Sequence, residues 1–435
     1  MPDLLAARLQ MAISLAFHII FACIGMAMPF LMAMSEYKWI KTGEKVYLDL
    51  TKSWSKGVAI FFATGAVSGT VLSFELGLLW PNFMEHAGAI IGMPFSLEGT
   101  AFFIEAIALG LFLYGWNRLN KWVHWTMGLI VGISGVMSGI FVVSANAWMN
   151  SPAGFDWING KAYNIDPWAA MFNDAWFTQA LHMTIAAFVS TGFAVAGLHS
   201  ILLLKHPNNL FHQKALKIAL LVASISAILQ PLSGDLSAKD VAKRQPAKFA
   251  AMESLFKTSK PADLLIGGIP DTESGTVKYG IYIPRFLSFL AHGDFDAEVK
   301  GLDRIPRENW PPVPIVHFAF QIMVASGSFL AIVSITFLFI NWRKPYLLYN
   351  KKYLKLIAFS MPLGFIALEA GWTLTEVGRQ PWIIYGIMKT SEAVTSMPGL
   401  IYPLMLFTGI YLLLSFIVTW LLVRQIKTLP KEYNA

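Results

Sequence analysis

Several ionisable side chains lie inside long apolar stretches of the sequence, where a charge in a membrane helix costs about 2.5–3.5 kcal/mol. These residues are His18, Glu75, Glu98, Glu105, His182, Glu369 and Glu376. A chain keeps such groups only where a partner neutralises them or where they take part in chemistry. Imidazoles bind metals, and both imidazoles and carboxyl groups transfer protons. The set therefore points to a metal centre, a proton path or both.

The spacing of the carboxyl groups is regular. Glu98 and Glu105 are seven residues apart, which in an α-helix is nearly two turns and puts both on one face. Glu369 and Glu376 repeat this spacing, with Trp372 between them on the same side. Paired acids repel unless something compensates their charge. A metal centre or a proton path would do so, whereas a lone imidazole could equally form a structural hydrogen bond between helices.

The His and Cys content limits the metal chemistry. The chain has nine His and one Cys, Cys23, which excludes a disulfide framework, a thiolate metal site and a covalent haem at CxxCH. No two His are adjacent, and only His18 and His182 lie clearly inside apolar stretches, too few for a haem–copper oxidase. Haem iron accepts His alone or His with Met. His182 and Met323 could form such a pair, although spacing does not show it and core packing is the favoured interpretation of Met323 by itself.

The elements that carry these residues are predicted to be membrane-spanning helices. The 435-residue chain is 56% hydrophobic and 14% charged, and its apolar stretches are long enough to cross a hydrocarbon core of about 30 Å as helices. The sequence therefore predicts an all-α polytopic membrane protein, a bundle of nine helices. The predicted spans are 9–34, 57–80, 94–116, 122–148, 176–204, 214–233, 313–340, 353–375 and 398–424.

The distribution of basic residues predicts the orientation. The segments after spans one, three, five, seven and nine carry 18 Lys and Arg, whereas the short segments on the other side carry four. The positive-inside bias then puts the C-terminus in the cytoplasm and the N-terminus outside. The same bias accounts for the net charge of +7 without a nucleic-acid partner.

The predicted organisation has three parts. Residues 1–233 hold spans one to six, and residues 313–435 hold spans seven to nine with a cytoplasmic tail. Between them, residues 234–312 form a long external segment with 11 basic and 11 acidic side chains. Such long segments are uncommon unless they are functional or disordered. No internal repeat or inverted pair of broken helices is apparent, which disfavours a secondary transporter.

Four segments resemble the large subunit of the cytochrome bd quinol oxidases. They are ARLQMAISLAFH (7–18), LEGTAFFIE (97–105), AFQIMVASG (319–327) and EAGWTLTEVGRQPW (369–382), of which the last is the most specific. The order of nine spans with a long external segment between spans six and seven is also similar, so the resemblance covers nearly the whole chain. The first segment and the compact external segment are most similar to the cyanide-insensitive, short-loop branch.

The resemblance implies three haems inside the helical bundle: a low-spin haem b, a high-spin haem b and an oxygen-binding haem that is of d type or a further haem b. His182 and Met323 correspond to the ligands of the low-spin haem, and His18 and Glu376 to ligands of the high-spin pair. Glu98 corresponds to a further carboxylate facing that pair. The other candidates for cofactor binding are Trp372, Gln321 and Arg379.

The resemblance also implies a proton route and a quinol site. Glu105 corresponds to the acid that feeds protons from the cytoplasm, with Ser138 and Lys56 at positions similar to the rest of that route. Lys248 and Glu253 correspond to residues implicated in quinol oxidation, where an acid can accept a proton from the quinol. From the sequence alone, solvated loop charges are the favoured interpretation of these two residues. Many relatives have Arg at position 321, where this chain has Gln. Loss of that cation near a haem should change the reduction potential of the haem or the stability of its reduced form.

The implied function is a respiratory terminal oxidase in the bacterial cytoplasmic (inner) membrane. It would oxidise quinol at the outer face and reduce O2 to water with cytoplasmic protons, generating a proton gradient without pumping. Its partners would be membrane lipid, subunit II and a small single-span subunit. The alternative is a di-haem membrane cytochrome that passes electrons between quinone and a partner protein without reducing O2. A transporter is a third interpretation.

Overall fold

The computed structural model describes residues 1–158 and 160–433. Its helices are α1 (Asp3–Thr42), α2 (Lys45–Leu79), α3 (Pro81–Tyr114), α4 (Lys121–Asn150), α5 (Pro167–Met171), α6 (Trp176–Lys205), α7 (Leu210–Arg244), α8 (Pro246–Met252), α9 (Phe286–His292), α10 (Val313–Arg343), α11 (Lys351–Ser360), α12 (Leu363–Val377), α13 (Thr390–Ala393) and α14 (Ile401–Lys427). Short 3₁₀ helices cover Leu302–Arg304, Arg307–Asn309 and Pro345–Tyr349. Among the described residues, nine helical spans are long and apolar enough to cross a membrane, with α11 and α12 together forming one of them. The prediction of nine spans is confirmed.

Several helices are longer than the apolar stretches that predicted them. The second begins at Lys45 rather than near residue 57, so Lys56 is a helical residue. The sixth, α7, continues to Arg244, past the predicted boundary at 233. Hydropathy marks the apolar part of a helix, whereas polar residues continue the same backbone hydrogen bonding. The helix ends where Pro246 disfavours the helical conformation of the residue before it.

The eighth span is broken, unlike its prediction as a single helix. The break between α11 and α12 lies at Met361 and Pro362, since a proline inside a helix removes a hydrogen bond and clashes with the preceding turn. This region packs closely on α6. A Cβ at Gly197 would lie 2.4 Å from Met361 Cβ, and a Cβ at Gly364 would lie 2.5 Å from Ser190 Cα. These two glycines allow the close approach that fixes α12 in the bundle.

The all-α prediction holds for the spans but not for the segments between them. Three two-stranded antiparallel sheets lie outside the spans within the described residues. Their strands are β1 (Asp156–Ile158), β2 (Lys161–Tyr163), β3 (Leu264–Asp271), β4 (Thr276–Ile283), β5 (Trp382–Ile384) and β6 (Met388–Lys389). The hairpin β3–β4, with Leu265 opposite Tyr282, belongs to residues 245–312, hereafter the connecting segment.

The connecting segment is packed onto α10. The His317 ring lies 2.9 Å from the carbonyl oxygen of Met252 and 3.0 Å from that of Gly267. Gln321 Oε1 accepts from the backbone N–H of Gly267 at 3.0 Å. A hydrophobic cluster that includes Phe249 and residues of α9 and α10 fills the space beneath the hairpin. These contacts define the end of the bundle where the polar residues described below are found.

Basic residues collect at the opposite end. Lys121 Nζ lies 4.7 Å from the centre of the Trp39 ring, and Lys41 Nζ lies 5.3 Å from that of Trp122. These contacts link the C-terminal end of α1 with the N-terminal end of α4. This grouping of cations at one end of the bundle agrees with the positive-inside bias from which the orientation is predicted. The orientation itself stays a prediction.

Candidate functional site

His18 is held by the neighbouring helix through one ring nitrogen. Its Nδ1 lies 2.9 Å from Ser68 Oγ on α2, and that hydroxyl donates to the carbonyl oxygen of Thr64 at 2.9 Å. Because the hydroxyl proton is already used, Ser68 Oγ accepts from His18 Nδ1–H. The lone pair of Nε2 is then left for a metal, and the hydrogen bond at Nδ1 fixes the ring orientation. A Cβ at Gly69 would lie only 3.2 Å from His18 Cε1.

His182 has the same arrangement on another pair of helices. Its Nδ1 lies 3.0 Å from Ser233 Oγ on α7, and this hydroxyl donates to the Gln230 carbonyl oxygen at 2.9 Å. The amide nitrogen of Gln230 lies 3.1 Å from His182 Nε2 and 3.2 Å from Nδ1, and it donates to the His182 carbonyl oxygen at 3.2 Å. With the proton on Nδ1, the lone pair is on Nε2. A Cβ at Gly234 would lie 3.5 Å from His182 Cε1. Iron could bind this lone pair once the flexible Gln230 amide turns away.

The serine and glycine neighbours are further candidate functional residues, which the sequence did not reveal. Ser68–Gly69 and Ser233–Gly234 are the same dipeptide, each inside a long helix next to the helix that carries a candidate ligand. Serine fixes the ring and glycine makes room for it. The repeated dipeptide was a visible signal, but only the fold shows which His each one contacts.

Met323 packs against a third glycine. A Cβ at Gly371 on α12 would lie 2.9 Å from Met323 Sδ, so the thioether occupies the space that the glycine leaves. No hydrogen bond joins Met323 to His182 in the described part of the chain, and their pairing as ligands stays a prediction. Gln321 uses its amide to hold the hairpin, with Oε1 3.0 Å from Gly267 N and Nε2 3.4 Å from Leu265 O.

Glu98 and Glu105 both face α4, which confirms that they share one helix face. Ser138 Oγ donates to Glu98 Oε1 at 3.4 Å. The Glu105 side chain is buried, and its Oε2 lies 3.5 Å from where a Cβ at Gly135 would be. Lys56 is exposed, and among the described residues it forms no hydrogen bond with either acid. The structure therefore brings Ser138 to the acid pair but not Lys56.

Glu376 lies between two donors near the C-terminal end of α12. Arg379 Nη2 donates to its Oε2 and Asn146 Nδ2 to its Oε1. Arg379 is buried, and its Nε and Nη1 have no hydrogen-bond partner within the described residues. A buried guanidinium with free donors fits an anionic oxygen ligand, and haem propionates provide such oxygens. On the same helix, Glu369 Oε1 is buried and has no hydrogen-bond partner in the part of the chain that the structure describes. Trp372 between the two acids is half-buried.

Lys248 and Glu253 are not solvated, so the interpretation that the sequence favoured is wrong. Their side chains are only 4% and 5% exposed, because α8 packs beneath the hairpin and against α10. Lys248 Nζ donates to Asn150 Oδ1 at 2.7 Å. Burial, helped by nearby Arg379, lowers the pKa of Lys248 to about 7. Burial raises the pKa of Glu253 to about 8, and Glu253 Oε2 has no hydrogen-bond partner within the described residues.

The structure forms two further polar clusters that the sequence did not predict. The His199 and His212 rings, far from adjacent in sequence, lie 3.0 Å apart at their Nδ1 atoms, too close to hold an iron between them. His124 Nδ1 lies 2.6 Å from Glu36 Oε1, and both residues are buried. In the described residues, no group of three or more His, Cys, Asp and Glu is placed to hold a metal ion. Single imidazoles suit an iron whose remaining ligands come from a porphyrin.

The chain is similar in sequence and in fold to cytochrome bd oxidases. The family model described as cytochrome bd terminal oxidase subunit I matches residues 6–430. The solved bd oxidase of Geobacillus thermodenitrificans has a chain with a TM-score of 0.92 and 37% identity, with 98% of this chain and 99% of that chain covered.

Two relatives from Bacillus subtilis (strain 168) support the same assignment. One, whose name specifies a cytochrome bd menaquinol oxidase subunit I, is 35% identical over 99% of this chain and 98% of its own length. The other, a cytochrome bd ubiquinol oxidase subunit 1, is 31% identical over 98% of this chain and 94% of its own. With a family match over nearly the full length and the same fold in a solved relative, this chain belongs to the cytochrome bd terminal oxidase subunit I family.

Proposed function

We propose that this chain is the haem-carrying subunit of a quinol:oxygen oxidoreductase in the bacterial cytoplasmic membrane. The names of the relatives support the reaction class, and the nine spans support the location. The observation that carries the proposal is the shared geometry of His18 and His182. Each ring is fixed through Nδ1 by a serine and keeps its Nε2 lone pair for iron.

The candidate ligands inside the membrane-spanning helices fit haem. His182, with Met323, would hold the low-spin haem b, and His18 and Glu376 would serve the high-spin haem b and the third haem, of d or b type. The free donors of Arg379 would bind a propionate. Haem, when bound, supplies one-electron transfer and the binding and reduction of O2.

Quinol oxidation would take place at the connecting segment. A quinol that loses electrons must also lose protons, and a carboxylate with a pKa near the working pH is a suited acceptor. Burial gives Glu253 a pKa of about 8, so its carboxyl group can take up and release a proton close to neutral pH. Lys248, five residues earlier, would hold the quinol oxygen by hydrogen bonding. With the connecting segment outside the cell, the protons are released outward.

Protons for water formation would come from the opposite end of the bundle. Glu105 is buried between α3, α4 and α1, and Ser138 donates to Glu98 on the same helix face. These carboxyl groups can pass a proton toward the centre of the bundle. Proton release on one side and uptake on the other separate charge without a pump. Subunit II and a small single-span subunit are the expected partners, and the compact connecting segment favours the cyanide-insensitive branch.

Membranes that contain the complex provide the direct test. They should consume O2 when a reduced quinol is added, with acidification on the outer side. His182→Ala should abolish the low-spin haem spectrum. His86→Ala removes a half-buried ring bonded to the Asn82 carbonyl oxygen, and it should leave the spectrum and the oxygen uptake unchanged. Haem-containing membranes that pass electrons from quinol to a partner protein without consuming O2 would refute the oxidase assignment.

A further inference from the structure

Two asparagines near the C-terminal end of α4 join the connecting segment to the end of α12. Lys248 Nζ donates to Asn150 Oδ1 at 2.7 Å. Asn150 Nδ2 donates to Asn146 Oδ1 at 3.0 Å, and also to the Asn146 carbonyl oxygen at 2.9 Å. Asn146 Nδ2 donates to Glu376 Oε1, and Arg379 Nη2 to Glu376 Oε2. A continuous series of hydrogen bonds thus runs from Lys248 to Glu376.

The charged groups at the two ends fix the orientation of both amides. Gln245 Nε2 donates to the backbone carbonyl oxygen of Asn150 at 2.8 Å and to Asn150 Oδ1 at 3.1 Å. The ammonium form of Lys248 also can only donate, so Asn150 turns its side-chain oxygen toward both donors. A carboxylate can only accept, so Asn146 must turn its NH₂ group toward Glu376. The remaining NH₂ group of Asn150 and carbonyl oxygen of Asn146 then face each other as donor and acceptor. Every bond points the same way, and the two amide dipoles are aligned between a cation and an anion.

The series can transmit polarisation but not protons. An amide N–H is too weakly acidic to release its proton to a neighbour, so the two asparagines are no proton relay. Aligned hydrogen bonds in a low-dielectric interior polarise one another and strengthen the group as a whole. Lys248 and Asn150 are almost fully buried, so water cannot replace a bond that is lost.

We infer that Asn146 and Asn150 are positioning residues that couple Lys248 to the haem-facing carboxylate Glu376. Through them, a change at the ammonium group, such as contact with quinol, alters the electrostatic environment of the haem that Glu376 faces. The inference rests on the proposed function for the ligand at Lys248 and for the haem beside Glu376. The coupling itself is a property of this chain and can be measured without turnover.

The test is a set of redox titrations on the purified, haem-loaded complex. At pH 6, below the pKa of about 7 of Lys248, Lys248→Met removes a cation, so it should lower the midpoint potential of the high-spin haem near Glu376. The same substitution in Asn150→Ala or Asn146→Ala protein should shift that potential by less than half as much. If Lys248→Met shifts the midpoint potential by the full amount in Asn150→Ala or Asn146→Ala protein, the charge of Lys248 acts on the haem directly rather than through the asparagines. If Lys248→Met causes no shift in the otherwise wild-type protein, Lys248 and the haem are not coupled. Either result overturns the inference.

Asn173→Ala is the matched control, because Asn173 is a buried amide that bonds backbone groups near the same end of α4. The effect of Lys248→Met should be of full size in that background. If Asn150→Ala does not assemble, Asn150→Asp replaces it: aspartate keeps an acceptor for Lys248 but cannot donate to Asn146. Loss of the coupling in Asn150→Asp supports the inference, and a retained coupling overturns it.

Turnover gives a second and separate readout. Asn150→Ala should raise the KM for quinol about tenfold, the size expected for one lost hydrogen bond to a charged group, with a smaller change in kcat. An unchanged KM would contradict the role of Asn150 in placing Lys248. A complex that oxidises no quinol even as wild type would refute the proposed function, while the redox titration would still decide on the coupling.

Discussion

The serine that holds His182 provides a test of the ligand assignment. Ser233→Ala removes the hydroxyl group that accepts from His182 Nδ1–H and leaves that buried N–H without a partner. An unsatisfied buried donor costs about 1–3 kcal/mol. Loss of a hydrogen-bond partner behind a metal-ligating His typically lowers metal affinity by about 10–100-fold. The two figures agree, since each factor of ten corresponds to about 1.4 kcal/mol.

The same helix provides a matched control. Ser224 is fully buried on α7, and its Oγ has no hydrogen-bond partner within the described residues. Ser224→Ala therefore removes a hydroxyl of the same size without breaking a hydrogen bond. Any effect specific to Ser233→Ala then comes from the contact with His182 rather than from a smaller side chain in this helix.

The assay is haem retention in the purified complex. Wild-type, Ser233→Ala and Ser224→Ala proteins are mixed with an excess of a haem-binding apoprotein, and loss of the reduced low-spin haem band is followed over time. We expect Ser233→Ala to lose this haem about 10–100 times faster, whereas Ser224→Ala follows the wild type. Equal retention in Ser233→Ala and Ser224→Ala would refute the reasoning that this hydroxyl orients an iron ligand.

Three further predictions concern other contacts. Gly371→Ala places a Cβ 2.9 Å from Met323 Sδ, so it should displace the thioether and shift the low-spin haem spectrum. Glu36→Gln breaks the buried pair with His124 and should cost about 3–5 kcal/mol, seen as a lower thermal midpoint in detergent. For Glu253, burial raises the pKa to about 8 in the folded protein. The neutral carboxyl group therefore stabilises the folded state fully below its ordinary pKa, and this contribution is lost as the pH rises through about 8. Between pH 5 and 9 the thermal midpoint of the wild type should fall relative to that of Glu253→Gln.

Controls for these predictions are available in the same chain. A Cβ at Gly327 on α10 meets no atom within 4 Å, so Gly327→Ala should leave the spectrum unchanged. Glu44 pairs with Lys214 at the surface, and Glu44→Gln should cost no more than about 1 kcal/mol. If the thermal midpoint of Glu36→Gln equals that of Glu44→Gln, the buried pair with His124 does not stabilise the fold as argued. If the pH profiles of Glu253→Gln and wild type run parallel, burial does not shift the pKa of Glu253 as argued.

The nine spans could be predicted from the sequence because they depend on local properties. Apolar length sets whether a helix can cross a bilayer, and the seven-residue spacing of Glu98 and Glu105 sets the face they share. The ends of the helices could not be predicted in this way. Helix α7 continues to Arg244 because backbone hydrogen bonding does not require apolar side chains.

The polar contacts of the site depend on packing between distant parts of the chain. Lys248 and Asn150 are 98 residues apart, and nothing in the sequence near either residue indicates that they meet. Burial of Lys248 follows from the docking of the connecting segment on α10, which in turn depends on His317 and Gln321. A charged residue in a long polar segment is solvated in most proteins, so a local interpretation fails here.

The hydrogen bonds of the imidazoles inside the bundle distinguish His124 from the candidate ligands His18 and His182. The His124 ring contacts acceptors through both nitrogens, Glu36 Oε1 at 2.6 Å and the Phe112 carbonyl oxygen at 2.8 Å, which is the expected state of a histidine that only links helices. His18 and His182 are each fixed by a serine at Nδ1 and keep a lone pair at Nε2. Buried polar groups are normally satisfied on every side. Within the described residues His18 Nε2 has no hydrogen-bond partner, and His182 Nε2 faces only the Gln230 amide nitrogen at 3.1 Å. A lone pair held in this way is placed for a ligand that the chain does not itself supply, as iron in a porphyrin would be.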